Sequence, residues 1–95
     1  MRSTSAVTVY VPGQLRSHCS GAREILVEAS TVRGLLERIE RDHPSLHRGI
    51  CDETGAVRRH LNLFVNTTHI RDLDGLDSAL ESGDELVIVP AVSGG

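Results

Sequence analysis

The sequence closes on Ala91-Val92-Ser93-Gly94-Gly95, directly after Pro90. With no Cβ on Gly94 or Gly95, another protein's backbone can come close around the final carboxylate. Fully extended, the five residues reach ~17 Å, enough to thread a narrow tunnel and present that carboxylate to a bound nucleotide. A carboxylate is a poor electrophile until one oxygen becomes a leaving group. Adenylation by ATP makes that conversion; attack by sulfide on the acyl-adenylate then leaves a thiocarboxylate, and attack by a persulfide donor leaves an acyl disulfide that a thiol cleaves to the same product. The tail contains no cysteine, so the sulfur has to be delivered from outside. The expected reacting group is therefore the carboxylate of Gly95, with Gly94 clearing its approach, on a flexible tail spanning 91–95.

Other chemistry-bearing sets are weaker. His43, His47 and Cys51 are spaced by four, as zinc ligands on a helix would be, but Pro44 interrupts the helix and no fourth ligand is evident. His18-Cys19 has the types of a base and a nucleophile without a recognisable orienting group. Asp72, Asp74 and Asp77 lack the spacing and closing glutamate of a calcium loop. Each reads better as solvated loop residues, and neither a bound cofactor nor a metal is expected.

The elements that must position the tail can be read from periodicity. Residues 6–11 alternate, with Val7, Val9 and Val11 on one face and Thr8 and Tyr10 on the other, a half-buried strand ended by Pro12-Gly13. Residues 23–28 offer a second strand, joined to the first by a connection whose shape the sequence leaves open. Ser30 or Thr31 can cap a helix in which Val32, Leu35, Leu36 and Ile39 form one apolar stripe, stopped by Pro44. Residues 45–59, with Gly49 and Gly55, read as loop with room for a short turn of helix. His60–Asn66 is a third strand, with Leu61, Leu63 and Val65 sharing one face and Asn62, Phe64 and Asn66 the other. A short strand is expected near His69-Ile70, then an acidic loop. Gly83-Asp84 turns into a last strand, 85–89, which Pro90 should end for want of an N–H. The order β-β-α-β-β-β predicts a two-layer α+β domain over residues 1–90, a mixed sheet packed on one main helix, with the last strand parallel to the first.

The same alternation has a consequence for the sheet's other face. If the three valines of the first strand, Leu61, Leu63, Val65, Leu86 and Ile88 are core, then Tyr10, Phe64, Val87 and Val89 point away from the helix. An apolar patch there, near the tail, is by its physics a partner site, with Val92 and Ser93 continuing it.

Composition sets limits. A chain of 95 residues, 39% hydrophobic with only Tyr10 and Phe64 aromatic, builds an aliphatic core with little room for an internal active-site pocket. The net charge of −3 argues against nucleic-acid binding. It is uneven: residues 1–50 hold seven arginines against five acids, and residues 51–95 three against eight. With no signal-like or membrane-length apolar run, a cytoplasmic protein with no membrane contact is expected, its Cys19 and Cys51 free or, less simply, bridged.

The stretch Gly83-Asp84-Glu85-Leu86-Val87-Ile88-Val89-Pro90-Ala91-Val92-Ser93-Gly94-Gly95 resembles the C-terminal signature of the MoaD/ThiS/CysO sulfur-carrier family. The resemblance extends to the Val-rich first strand, the Thr31-led helix and the Leu63-Phe64-Val65-Asn66 strand. The long segment between helix and third strand, with the Pro-Ala-Val ending, is most similar to CysO-type carriers of actinobacteria. The resemblance implies a ubiquitin-like β-grasp fold and a protein cosubstrate, not an enzyme. Gly95 would be adenylated, with ATP used by an E1-like adenylating and sulfurtransferase partner, and thiocarboxylated. A downstream acceptor would take the sulfur: a cysteine synthase with a metalloprotease that frees the product, a thiazole synthase or sugar-thiolating relative, or the large subunit of molybdopterin synthase. The alternatives are a permanent small subunit of molybdopterin synthase, or a ubiquitin-like modifier or docking module.

Overall fold

The computed structural model describes residues 5–91. Five strands form one sheet in the order β2-β1-β5-β3-β4: β1 is Ala6–Tyr10, β2 Glu24–Glu28, β3 Leu61–Val65, β4 Thr68–His69 and β5 Glu85–Pro90. Strand β1 pairs antiparallel with β2 and parallel with β5, and β3 pairs antiparallel with both β5 and β4. The mixed sheet, with first and last strands parallel at its centre, is the expected α+β architecture.

Alternation sets the faces. Val7, Val9, Leu61, Leu63, Val65, Leu86 and Ile88 are buried, while Thr8, Tyr10, Asn62, Phe64 and Val87 between them are only half-buried. A shift of one residue in any strand would turn its apolar set to solvent, so the core pins the register.

Helix α1, Val32–Asp42, lies over the buried face with Val32, Leu35, Leu36 and Ile39 inward. Thr31 is the N-cap: its Oγ1 accepts a hydrogen bond from the Gly34 N–H at 3.0 Å, satisfying one of the donors that a helix start leaves orphaned.

Two expectations need revision, and one point left open is filled in. Residues 45–59 are not simply loop: Pro44–Ile50 forms a second helix, α2, with Leu46 and Ile50 buried. Pro44 does stop α1, but at the first position of a new helix its missing N–H costs nothing and its fixed φ favours the turn. The open connection after β1 is a 3₁₀ segment, Gly13–Cys19, whose Leu15 and Cys19 are buried beneath α2. Nor does Pro90 end the ladder: it stands opposite Leu61, and the Ala91 N–H donates to the His60 carbonyl at 2.6 Å. The β3-facing bonds of β5 fall on residues 85, 87, 89 and 91, so the donor that Pro90 lacks would have pointed to the other side, past the last paired residue of β1.

Candidate functional site

The sheet face turned away from the helices carries the sequence-predicted surface residues. Cross-strand partners align Glu24 on β2, Tyr10 on β1, Val87 on β5, Phe64 on β3 and His69 on β4 in one row. The middle three are apolar or aromatic and half-buried against one another. Two residues along β5 on the same side, Val89 is exposed and lies opposite Asn62. An apolar track therefore runs from Tyr10 through Val87 to Val89, along the strand that carries the chain toward its end.

Polar groups brace both ends of the track. The Phe64 and His69 rings meet edge to face, centroids 5.1 Å apart. His69 Nδ1 accepts from the Arg71 N–H at 3.0 Å, so in the neutral ring the proton sits on Nε2 and is donated to Asn62 Oδ1, also at 3.0 Å. At the other end the Tyr10 hydroxyl lies 3.4 Å from Glu85 Oε2. The negative charge of Glu85 raises the Tyr10 pKa, with burial and Glu24 adding to it. The track is thus aromatic and aliphatic in the middle and acidic toward β2.

The turn that feeds β5 is tightly tied. Asn66, with a left-handed φ of 57°, accepts from the Glu85 N–H through its Oδ1 at 3.1 Å. Its Nδ2 donates to Asp84 Oδ1 at 3.2 Å. Asp84 Oδ2 in turn accepts from the Glu81 N–H at 2.9 Å. These bonds hold the start of β5 against the end of β3, and hence fix the direction in which the strand leaves the domain. Val92, Ser93, Gly94 and Gly95 lie outside the described residues.

The alternative chemical sets do not assemble. The Cys19 thiol donates to the Ala22 carbonyl at 3.6 Å and is buried, so it is not poised against His18. Cys51 is buried in the core, and burial, with the charges of Asp52 and Glu40, pushes its thiol up to about 11. Both cysteines are free. His47 lies within α2, but His43 and Cys51 flank that helix in non-helical backbone and Cys51 is buried, so the three do not share a helix face. Among the described residues no group of three or more histidines, cysteines and acids could hold a metal ion. Asp77 pairs with Arg33 at 3.1 Å. No helix among the described residues is long and apolar enough to cross a membrane.

Sequence reasoning missed Leu26, the most exposed large apolar residue among the described residues, 71% exposed on β2. Its run, Glu-Ile-Leu-Val-Glu, has three consecutive apolar residues, so periodicity could not tell the inward from the outward ones; its position between two glutamates was the available signal.

Comparison with known proteins agrees with this architecture. The model of the ThiS family matches residues 9–95. The sulfur carrier protein CysO of Mycobacterium tuberculosis is 31% identical over 91 residues, covering 94% of this chain and 98% of that protein. A solved structure of the BexX/CysO complex from Amycolatopsis orientalis superposes with a TM-score of 0.85 at 33% identity, covering 95% of this chain and 100% of the matched one. The solution structure of small archaeal modifier protein 1 from Methanosarcina acetivorans gives a TM-score of 0.83 at 27% identity, with 99% and 100% covered.

Proposed function

The chain belongs to the ThiS family, and from that premise we propose that it is a sulfur carrier whose reacting group is the carboxylate of Gly95. A partner enzyme of the E1-like adenylating class supplies ATP. The carboxylate oxygen attacks the α-phosphorus, pyrophosphate leaves, and the terminus becomes an acyl-adenylate. Sulfide sulfur then attacks the acyl carbon and AMP departs with the bonding pair. The product is a thiocarboxylate, a softer and better nucleophile than the carboxylate it replaces, which an acceptor enzyme consumes. Protein CysO, the sulfur carrier 31% identical over nearly the whole length, supports the sulfur-carrying role.

The observation that carries the reading is the apolar track along β5. Tyr10, Phe64, Val87 and Val89 offer a partner a semi-rigid surface, and the strand that contains two of them leads directly into residues 91–95. A partner seated on the track is held where the tail can enter its active site, which turns an encounter between two proteins into a local event. Gly94 and Gly95 then serve as the narrow end of that tail. The chain acts as a cosubstrate: the nucleotide and the donor sulfur belong to its partners. A CysO seated with BexX in the Amycolatopsis orientalis complex supports a role exercised through a protein partner.

The similarity to a small archaeal modifier protein favours a second reading, in which the activated terminus is passed to protein amines. It shares the adenylation step and differs in the nucleophile.

Intact mass of the full chain, after incubation with ATP, a sulfide source and an activating enzyme, separates them. Replacement of one carboxylate oxygen by sulfur is expected, and its loss on deletion of Gly94 and Gly95. An unchanged mass with several competent activating enzymes would refute the carrier role, and isopeptide adducts on lysines of other proteins would favour the modifier reading.

A further inference from the structure

Strand β2 is an edge of the sheet. Val11 N–H donates to the Arg23 carbonyl at 2.8 Å, and Ala29 N–H to the Ser5 carbonyl at 2.9 Å. Antiparallel bonding alternates, so between those two points Ile25 and Val27 spend their backbone groups on β1. The N–H and C=O of Glu24 and Leu26 consequently face outward. Leu26 presents an exposed side chain on the open face, with carboxylates two residues away on either side at Glu24 and Glu28. On the helix side of the same edge a groove is lined by Val27, Ile39, Arg38, Asp42 and His43.

An edge strand of this kind accepts another strand by backbone hydrogen bonds, and alternate side chains then decide which strand fits. A second copy of this chain fits poorly. Two-fold antiparallel pairing centred on Leu26 sets Glu24 of each copy opposite Glu28 of the other, and like charges directly opposite are destabilising. We infer that β2 is a docking edge for an extended segment of a different protein that reads basic, apolar, basic at alternate positions. The apolar residue covers Leu26, the two cations meet Glu24 and Glu28, and the intervening residues point into the groove over Val27 and Ile39. The Glu-Ile-Leu-Val-Glu run reads nearly the same in both directions, so the partner's pattern holds whether it adds parallel or antiparallel. The edge adjoins the Val87–Val89 track, whose cross-strand row ends at Glu24, but the hydrogen-bonding groups it offers are those of β2 alone, and the inference stands whatever the tail carries.

The test uses the full chain, labelled with nitrogen-15, and a short end-capped synthetic peptide whose centre reads arginine, valine, leucine, valine, arginine. Titration is expected to shift the Glu24 and Leu26 amides and to slow their exchange with solvent. Affinity is expected to fall at least ~tenfold in Leu26→Arg and to weaken as salt rises. A Glu24→Lys variant is expected to lose preference for this peptide over its glutamate-for-arginine counterpart. Leu26 is exposed, so these variants keep the wild-type melting temperature. Absence of binding at millimolar peptide, equal binding of the two peptides to the wild-type chain, unchanged affinity in Leu26→Arg, or shifts confined to Phe64 and Val87 would each overturn the inference.

Discussion

The thiol of Cys51 sits in the core, and the alkaline limb of the chain's stability should report that. Cys51 has an ordinary value of 9.0 when exposed and about 11 in the fold, chiefly through burial, with Asp52 and Glu40 pushing the same way and Arg58 opposing. The sign follows from proton linkage: above pH 9.0 the unfolded chain gives up the thiol proton while the native chain keeps it, so unfolding becomes progressively easier. The stabilisation is complete below 9.0 and is lost as pH climbs toward 11. One proton contributes at most about 1.4 kcal/mol per pH unit, so the window removes roughly 2–3 kcal/mol, a large part of what a small domain has. The measurement is urea unfolding of the wild type and of Cys51→Ala, under reductant, from neutral pH to 11. The variant starts lower at every pH because of the small cavity it leaves. It should also fall less steeply above 9.0, since the Tyr10 contribution is common to both chains. Parallel curves would refute the claim that burial holds this thiol protonated. The variant should still accept sulfur at the wild-type rate, because the proposed cargo rides on the terminal carboxylate and not on a thiol.

Further outcomes are expected. Thr31→Ala removes the Oγ1 that accepts the Gly34 N–H and should cost about 1 kcal/mol in urea unfolding; Thr31→Ser, which keeps the oxygen, should recover most of it. Val87→Arg places a charge in the middle of the Tyr10–Phe64 row, where the side chain is only half-buried. It should slow ATP-dependent activation of the terminus at least ~tenfold through KM, while changing stability by no more than about 1 kcal/mol; an unchanged rate would remove this face from the partner interface.

Much of the fold is legible from local pattern. The alternating valines of β1, the Leu61–Leu63–Val65 set and the Val32–Leu35–Leu36–Ile39 stripe each have one period and one solution, because only one phase buries them. Thr31 and Pro44 mark the ends of α1 by capping and by steric exclusion, which are properties of the residues themselves. What the tertiary structure decided is where local rules give two answers. Pro44 either stops a helix or starts one, and packing of Leu46 and Ile50 into the core makes it do both. Pro90 either ends a ladder or is tolerated, and it is tolerated because the side on which it lacks a donor has no strand left to receive one. Ile25, Leu26 and Val27 are equally apolar, and only the pairing of β2 with β1 turns Leu26 outward. Phe64, Val87 and Tyr10 are far apart in sequence; the order of elements already implied a parallel β1–β5 pair with all three on one face, and what the tertiary structure added is the register that sets them directly opposite one another in one row.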